Sequence, residues 1–209
     1  MKSSPPLLIV DFGLGNLGSV ANMIRKVGGE AKITSSPDEI RQGVKLVLPG
    51  IGSFDEGINS LKERSLDLAL KTAIHENGAF LLGICLGMQL LFESSEEGNQ
   101  PGLSLIQGKV RRFQLDNTNL RVPHMGWNLV KPNRNSHLFN FDDQHRFYFA
   151  HSYYPACENA ENIIAKTQYG YNFSSVVERE RVIGVQFHPE KSHSFGMALF
   201  QRYLDLKPC

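Results

Sequence analysis

Apolar residues in the first half of the chain fall into short unbroken runs separated by stretches with a helical period. Leu7–Asp11 begins with a continuous apolar run, the mark of a strand buried on both faces. Leu17, Val20, Ile24 and Val27 then recur at steps of three and four, one face of a helix, with Asn16 as its N-cap and Gly28-Gly29 as its stop. Ala31–Ser35 is a second strand, and Ser36-Pro37-Asp38-Glu39 reads as a capping box with proline at the first helical position. Lys45–Leu48 is a third strand, broken by Pro49-Gly50-Ile51-Gly52. Ser65 starts a helix with Leu66, Leu70 and Ile74 inward and Gly78 past its end. Ala79–Ile84 is a fourth strand that passes directly into a helix over Leu86–Glu93. This alternation predicts an α/β fold with a mostly parallel central sheet flanked by helices.

The pattern changes in the second half. Lys109–Phe113, Phe147–Tyr154, Asn162–Gln168, Ser174–Glu178 and Val182–Phe187 are strand-like and joined by short turns, so additional antiparallel strands are expected there. A last amphipathic helix carries Phe195, Leu199, Tyr203 and Leu206. No repeat or linker divides the chain, and its 209 residues suit one domain, residues 1–209. Residues 1–6 read as a disordered extension.

Composition narrows the function more than the fold. With 22 Lys+Arg against 21 Asp+Glu, the net charge of +1 offers no field to hold a phosphate backbone. The N-terminal apolar run is too short for a signal h-region or a membrane span, which points to a cytoplasmic protein. Three cysteines, Cys85, Cys157 and Cys209, make no disulfide framework, and no zinc-ligand spacing is present, so neither metal nor cofactor is expected. Gly13-Leu14-Gly15-Asn16-Leu17-Gly18 has the form of a dinucleotide fingerprint. The second strand ends in Ser35-Ser36 rather than in an acidic ribose ligand, so the glycines are read as a tight turn.

Candidate chemistry centres on Cys85. Gly83 and Gly87 flank it at minus two and plus two between a strand and a helix, the pattern of a nucleophile elbow. A helix N-terminus favours a thiolate, and the Leu86 N–H would face an oxyanion formed at the sulfur. A buried structural cysteine would carry the same glycines. A thiolate also needs a base and an orienting group. Val185-Gln186-Phe187-His188-Pro189-Glu190 delivers both at a strand end: His188 as base and Glu190 as its orienter. The Gly50-Ile51-Gly52 loop adds backbone N–H groups for an oxyanion, although a plain β-to-α turn would look alike.

Gly83-Ile84-Cys85-Leu86-Gly87-Met88-Gln89 and Phe187-His188-Pro189-Glu190 resemble the two signature motifs of class I, triad-type glutamine amidotransferases, a flavodoxin-like family. The resemblance runs from the first strand to the last helix. Asp11–Asn16, Pro49–Phe54, Pro123-His124-Met125-Gly126-Trp127-Asn128, His151–Tyr154 and Lys191 are most similar to the glutaminase subunits of imidazole glycerol phosphate synthases. Phe12 and Ala150 depart from residues common there, Tyr and Val, away from the proposed chemistry. The resemblance implies that Cys85 attacks glutamine, that His188 and Glu190 complete a triad, and that Gly50, Ile51, Gly52 and Leu86 hold the oxyanion. It implies that Gln89, Ser152 and Tyr153 bind the substrate's amino-acid end. It further implies a heterodimer in which ammonia passes to a (β/α)8-barrel cyclase of histidine biosynthesis, with Asn16, Trp127, Tyr148 and Lys191 at or near the interface. A paralogous subunit feeding another synthase, such as one modifying surface sugars, is the alternative. A binding module without catalysis is disfavoured by the presence of all three triad residues.

Overall fold

The computed structural model describes residues 5–115, 119–143 and 145–207; Met1–Ser4 of the extension and Cys209 lie outside them. In chain order the elements are β1 (Leu7–Val10), α1 (Leu17–Lys26), β2 (Ala31–Thr34), α2 (Pro37–Arg41), β3 (Lys45–Gly50), α3 (Phe54–Glu63), α4 (Leu66–His75), β4 (Phe80–Cys85), α5 (Leu86–Gln89), β5 (Ser94–Ser95), β6 (Gly108–Arg112), β7 (His124–Pro132), β8 (His145–His151), β9 (Tyr153–Cys157), β10 (Ile163–Tyr169), β11 (Tyr171–Arg179), β12 (Val182–Val185) and α6 (His193–Asp205).

A nine-stranded sheet runs in the order β2-β1-β3-β4-β12-β11-β10-β7-β8. From β2 to β12 the neighbours are parallel; from β12 to β8 they are antiparallel. A second, three-stranded sheet pairs β5, β6 and β9. The strand period of two separates two cores. Leu7, Ile9, Val47, Leu82 and Ile84 face α1 and α6, whereas Leu8, Val10, Leu46, Leu48 and Leu81 face α3 and α4. Tyr203 of α6 ties its face down by donating to the carbonyls of Leu46 (2.7 Å) and Phe80 (3.0 Å).

The expected caps are present in part. Asn16 Oδ1 accepts from Ser19 N–H at 3.2 Å. Ser36 Oγ accepts from Glu39 N–H at 3.4 Å, but the Ser36 N–H goes to Thr34 Oγ1 and Glu39 pairs with Lys32, so only half of a capping box forms. Ser65 does precede a helix, in a left-handed conformation (φ 56°) and without a side-chain cap bond.

Three expected boundaries move, and one helix is additional, for identifiable reasons. β3 does not break at Pro49-Gly50: it continues because β4 still pairs with it there, while β1, on its other side, pairs only as far as Val47. The helix after Cys85 is a single turn, Leu86–Gln89, because the returning chain takes its carbonyls: Leu103 N–H bonds Leu90 O and Leu105 N–H bonds Leu91 O. The expected strand over Phe147–Tyr154 is two strands, β8 and β9, which part at Ser152 into different sheets. α3, not foreseen, is set by Phe54, Gly57, Ile58 and Leu61 at helical spacing, all buried.

Candidate active site

Cys85 ends β4 and begins α5 with φ 53° and ψ −109°. A non-glycine residue rarely adopts this conformation, and holding it costs about 1–3 kcal/mol. The neighbouring glycines show what enforces it. A Cβ on Gly87 would lie 1.7 Å from the Leu48 carbonyl oxygen, and one on Gly83 would lie 2.7 Å from the Gly87 carbonyl oxygen. Strand β3, the elbow and α5 thus meet backbone to backbone, and the Cys85 side chain is turned out of the sheet. The short α5 supplies little of the helix field that the sequence suggested.

β12 lies parallel beside β4, with Val185 opposite Ile84 in register, so the segment after it passes Cys85. Gln186, fully buried, places its amide N–H 3.8 Å from Cys85 Sγ. His188 follows and is pinned to β8: its N–H bonds Tyr148 O at 2.8 Å, and Ser192 Oγ links the His188 carbonyl (2.6 Å) to the Tyr148 N–H (3.0 Å). Pro189–Lys191 is a 3₁₀ turn that brings Glu190 back toward the ring. Glu190 Oε1 lies 2.8 Å from His188 Nδ1, and both side chains are 4% exposed. The second carboxylate oxygen is buried with no partner among the described residues, so the bonded carboxylate contact is to His188.

His188 also lies near enough to Cys85 for the sulfur to act on its charge. Burial alone would pull the imidazolium's pKa down, but the hydrogen bonds and charges of Cys85 and Glu190 outweigh it and hold the ring up to about 10. The fold thus brings the His188–Glu190 pair to the neighbourhood of the Cys85 sulfur.

A cavity of about 230 Å³ opens at Cys85. Ile51, Gly52, Leu86, Gln89, Ser152 and Tyr153 line it. Gly50 does not line it: that residue lies within β3, paired with Cys85. The cavity also takes in Glu97, Pro123, Met125, Ala150 and His151, which the sequence reading had not assigned to a substrate site. Glu97 accepts the Phe54 N–H at 2.8 Å, and burial raises its pKa; the Phe54 bond opposes that shift and the Asp55 charge adds to it. No sequence signal singled out Glu97, which sits in a loop of acidic residues. Gln186 was within the quoted motif, but its contact with the sulfur depends on the β4–β12 register.

Trp127, Tyr148 and Lys191 come together at one edge. Trp127, 41% exposed, stacks on His193 with centroids 5.6 Å apart, meets Tyr148 edge-on at 6.3 Å, and Lys191 Nζ sits 5.8 Å from the Tyr148 ring centre. Asn16 is spent on capping α1, which packs against the 189–191 turn. Among the described residues no group of three or more His, Cys, Asp or Glu is placed to hold a metal ion, and no helix is long and apolar enough to cross a membrane.

Residues 8–205 match the family model described as glutamine amidotransferase class-I. The chain belongs to the class-I glutamine amidotransferases. The amidotransferase is 48% identical to imidazole glycerol phosphate synthase subunit HisH 2 of Methanococcus maripaludis, over 95% of this chain and 98% of that protein. It is 42% identical to the HisH 2 of Pseudomonas aeruginosa, over 96% and 99%. It is likewise 42% identical to the HisH of Leptospira interrogans, over 95% and 98%. Among solved structures, PurLQS from Thermotoga maritima superposes on the amidotransferase with a TM-score of 0.75 at 18% identity, covering 96% of this chain and 98% of that one. That likeness is one of fold.

Proposed function

We propose that this amidotransferase hydrolyses glutamine to glutamate and ammonia as the glutaminase subunit of an imidazole glycerol phosphate synthase. The observation that carries the reading is the buried His188–Glu190 pair beside Cys85, which itself lines a cavity sized for a small molecule. The Cys85 thiolate adds to the carboxamide carbon of glutamine, and the oxyanion is received by backbone N–H groups of Leu86 and the Ile51-Gly52 segment. The His188 imidazolium gives its proton to the departing nitrogen, which leaves as ammonia, and a glutamyl thioester remains. Neutral His188 then takes a proton from water; the hydroxide equivalent attacks the thioester, and glutamate and the thiolate separate. Glu190 keeps the imidazole oriented and stabilises its charged form. Gln89 and the Ser152–Tyr153 backbone face the amino-acid end, and the Glu97 carboxylate suits its ammonium group.

The ammonia passes to a (β/α)8 cyclase partner that makes imidazole glycerol phosphate and aminoimidazole carboxamide ribotide in histidine biosynthesis. The exposed Met125 and Trp127, with Tyr148 and Lys191 beside them, suit the docking face. The free Cys85 and Cys157 thiols fit a cytoplasmic setting. In the complex, Cys85→Ala should cut glutamine-dependent synthesis by at least about 10³-fold and leave synthesis from added ammonia intact. Retained glutamine-dependent turnover would remove Cys85 as the nucleophile.

A second reading has one observation in its favour: two of the relatives carry the number 2 in the name HisH 2. A paralogous glutaminase would feed a different synthase, for instance one that modifies surface sugars. Co-purification separates the two, since a barrel cyclase supports the first reading and another synthase the second.

A further inference from the structure

The two faces of β7 keep different company. Met125 and Trp127 are exposed on one, whereas His124 is buried and Asn128 half-buried on the other. From Asn128 an unbroken run of hydrogen bonds crosses the interior to the sulfur. Asn128 Nδ2 lies 2.9 Å from the Gln168 carbonyl oxygen and 3.2 Å from His124 Nε2. His124 Nδ1 lies 3.0 Å from His151 Nε2, and His151 Nδ1 lies 2.7 Å from the Tyr153 carbonyl oxygen. Gln89 Nε2 donates to the same carbonyl at 3.1 Å and to Gln186 Oε1 at 3.2 Å. Gln186 Nε2 completes the run at Cys85 Sγ, 3.8 Å away.

The chemistry of the groups fixes the direction of every bond. A carbonyl oxygen only accepts, so His151 carries its hydrogen on Nδ1 and presents a lone pair at Nε2. His124 must then donate from Nδ1, and its Nε2 accepts from Asn128. Both rings are neutral in this arrangement, because a second proton on His151 would set two N–H groups against each other. Burial favours the same state. It lowers the pKa of His124 to about 4; it lowers that of His151 to about 3, against the opposing pull of the Tyr153 carbonyl. The rings cannot turn freely, since His124 stacks between Phe149 (4.8 Å) and Tyr169 (4.0 Å). Stacking of this kind asks only for an aromatic ring. The nitrogens carry a desolvation cost that phenylalanine would avoid.

We propose that His124 and His151 are positioning residues for glutamine hydrolysis: together they fix the Tyr153 carbonyl, and with it the Ser152–Tyr153 wall of the cavity and the Gln89 amide that leads to Cys85. This rests on the hydrolytic reading above. Because the run begins on β7, a partner seated on Met125 and Trp127 presses on the strand that anchors it. The ring nitrogens bond one another, Asn128 and the Tyr153 carbonyl rather than Cys85 or His188, so the pair governs how well glutamine is held more than how fast its bond breaks.

His124→Phe keeps the stacking and removes both nitrogens. In glutamate-release assays of the full chain with its synthase partner, the KM for glutamine should rise about tenfold, the worth of one buried hydrogen bond. The kcat should fall by less than about threefold. An unchanged KM, or a loss confined to kcat, overturns the proposal. Nitrogen-15 spectra of the wild-type histidine rings give a reading that does not depend on the variant folding. Both rings should be neutral and protonated at Nδ1 at about pH 6. A hydrogen on Nε2, or a charged ring, overturns the proposal whatever the activity. Failure of the hydrolytic reading looks different: Cys85→Ala would keep its glutamine-dependent turnover while the ring tautomers stayed as described.

Discussion

In the parallel half of the sheet, β3, β4 and α5 meet so closely that Gly87 admits no Cβ, and the main chain at Cys85 is set by backbone packing. In the antiparallel half, β7, β8 and β9 shape the other side of the site through side chains: Ser192 on Tyr148, His124 on His151, His151 on the Tyr153 carbonyl. His188 stands where the halves join, following β12 and bridged to β8. Cys85 is therefore placed by sterics, which tolerate nothing, and the Ser152–Tyr153 side of the cavity by hydrogen bonds, which can be weakened one at a time.

The sharpest test of the steric half is Gly87→Ala. A methyl group 1.7 Å from the Leu48 oxygen cannot be absorbed by a side-chain shift, so β3 and α5 must separate. We expect a loss of more than about 4 kcal/mol, or no soluble protein, in denaturant melts. A folded, active Gly87→Ala would show that the elbow is looser than its backbone implies.

Glu190→Gln tests the junction. Removing the charge 2.8 Å from His188 should lower kcat on the order of 10³-fold with little change in KM. The same variant carries a pH signature. His188 is raised to about 10 in the fold, against about 6.5 in an unfolded chain. Its contribution to stability is thus complete below about pH 6.5 and fades as pH rises through about 10. Thermal melts across that range should decline less steeply for Glu190→Gln than for the wild type, and parallel curves would mean that the carboxylate does not hold the proton there.

The smallest effect concerns strain at the elbow itself. With φ at 53°, glycine should suit position 85 better than alanine. Cys85→Gly should be more stable than Cys85→Ala by about 1 kcal/mol, the reverse of the usual order inside regular elements. Equal melting points would show that the conformation at this residue costs little.

The parallel half was legible because its strands are unbroken apolar runs and its turns are marked by glycine and proline. Leu7–Val10, Ala31–Thr34 and Phe80–Cys85 fall within a residue of their expected positions. The antiparallel half was less so. β7 lies over the Pro123–Asn128 motif, yet polar His124 and Asn128 occupy its inner face, so the alternation that marks a strand is masked by the hydrogen-bonded run. Cys85, His188 and Glu190 stood out because the flanking glycines and the His-Pro-Glu turn are local in sequence. Gln186 and His151 reach the site through register and the parting of β8 from β9, and Glu97 is tied there by the Phe54 N–H, none of which a local pattern encodes. The single-turn α5 was overestimated because Leu90, Leu91 and Phe92 continue an apolar run that the fold uses for a loop.

The rim of the cavity is uneven in what it can accept. Ile51 and Met125 are 51% and 64% exposed, and their side chains stand clear of the crowded backbone around Leu48, Gly83 and Gly87. A library that varied these two positions would reshape the entrance without disturbing the elbow, whereas one that included the glycines would be dominated by unfolded clones. The enzyme's room for adaptation, in the laboratory or over generations, thus lies at the lip of the pocket, a few residues from a floor that permits almost no change.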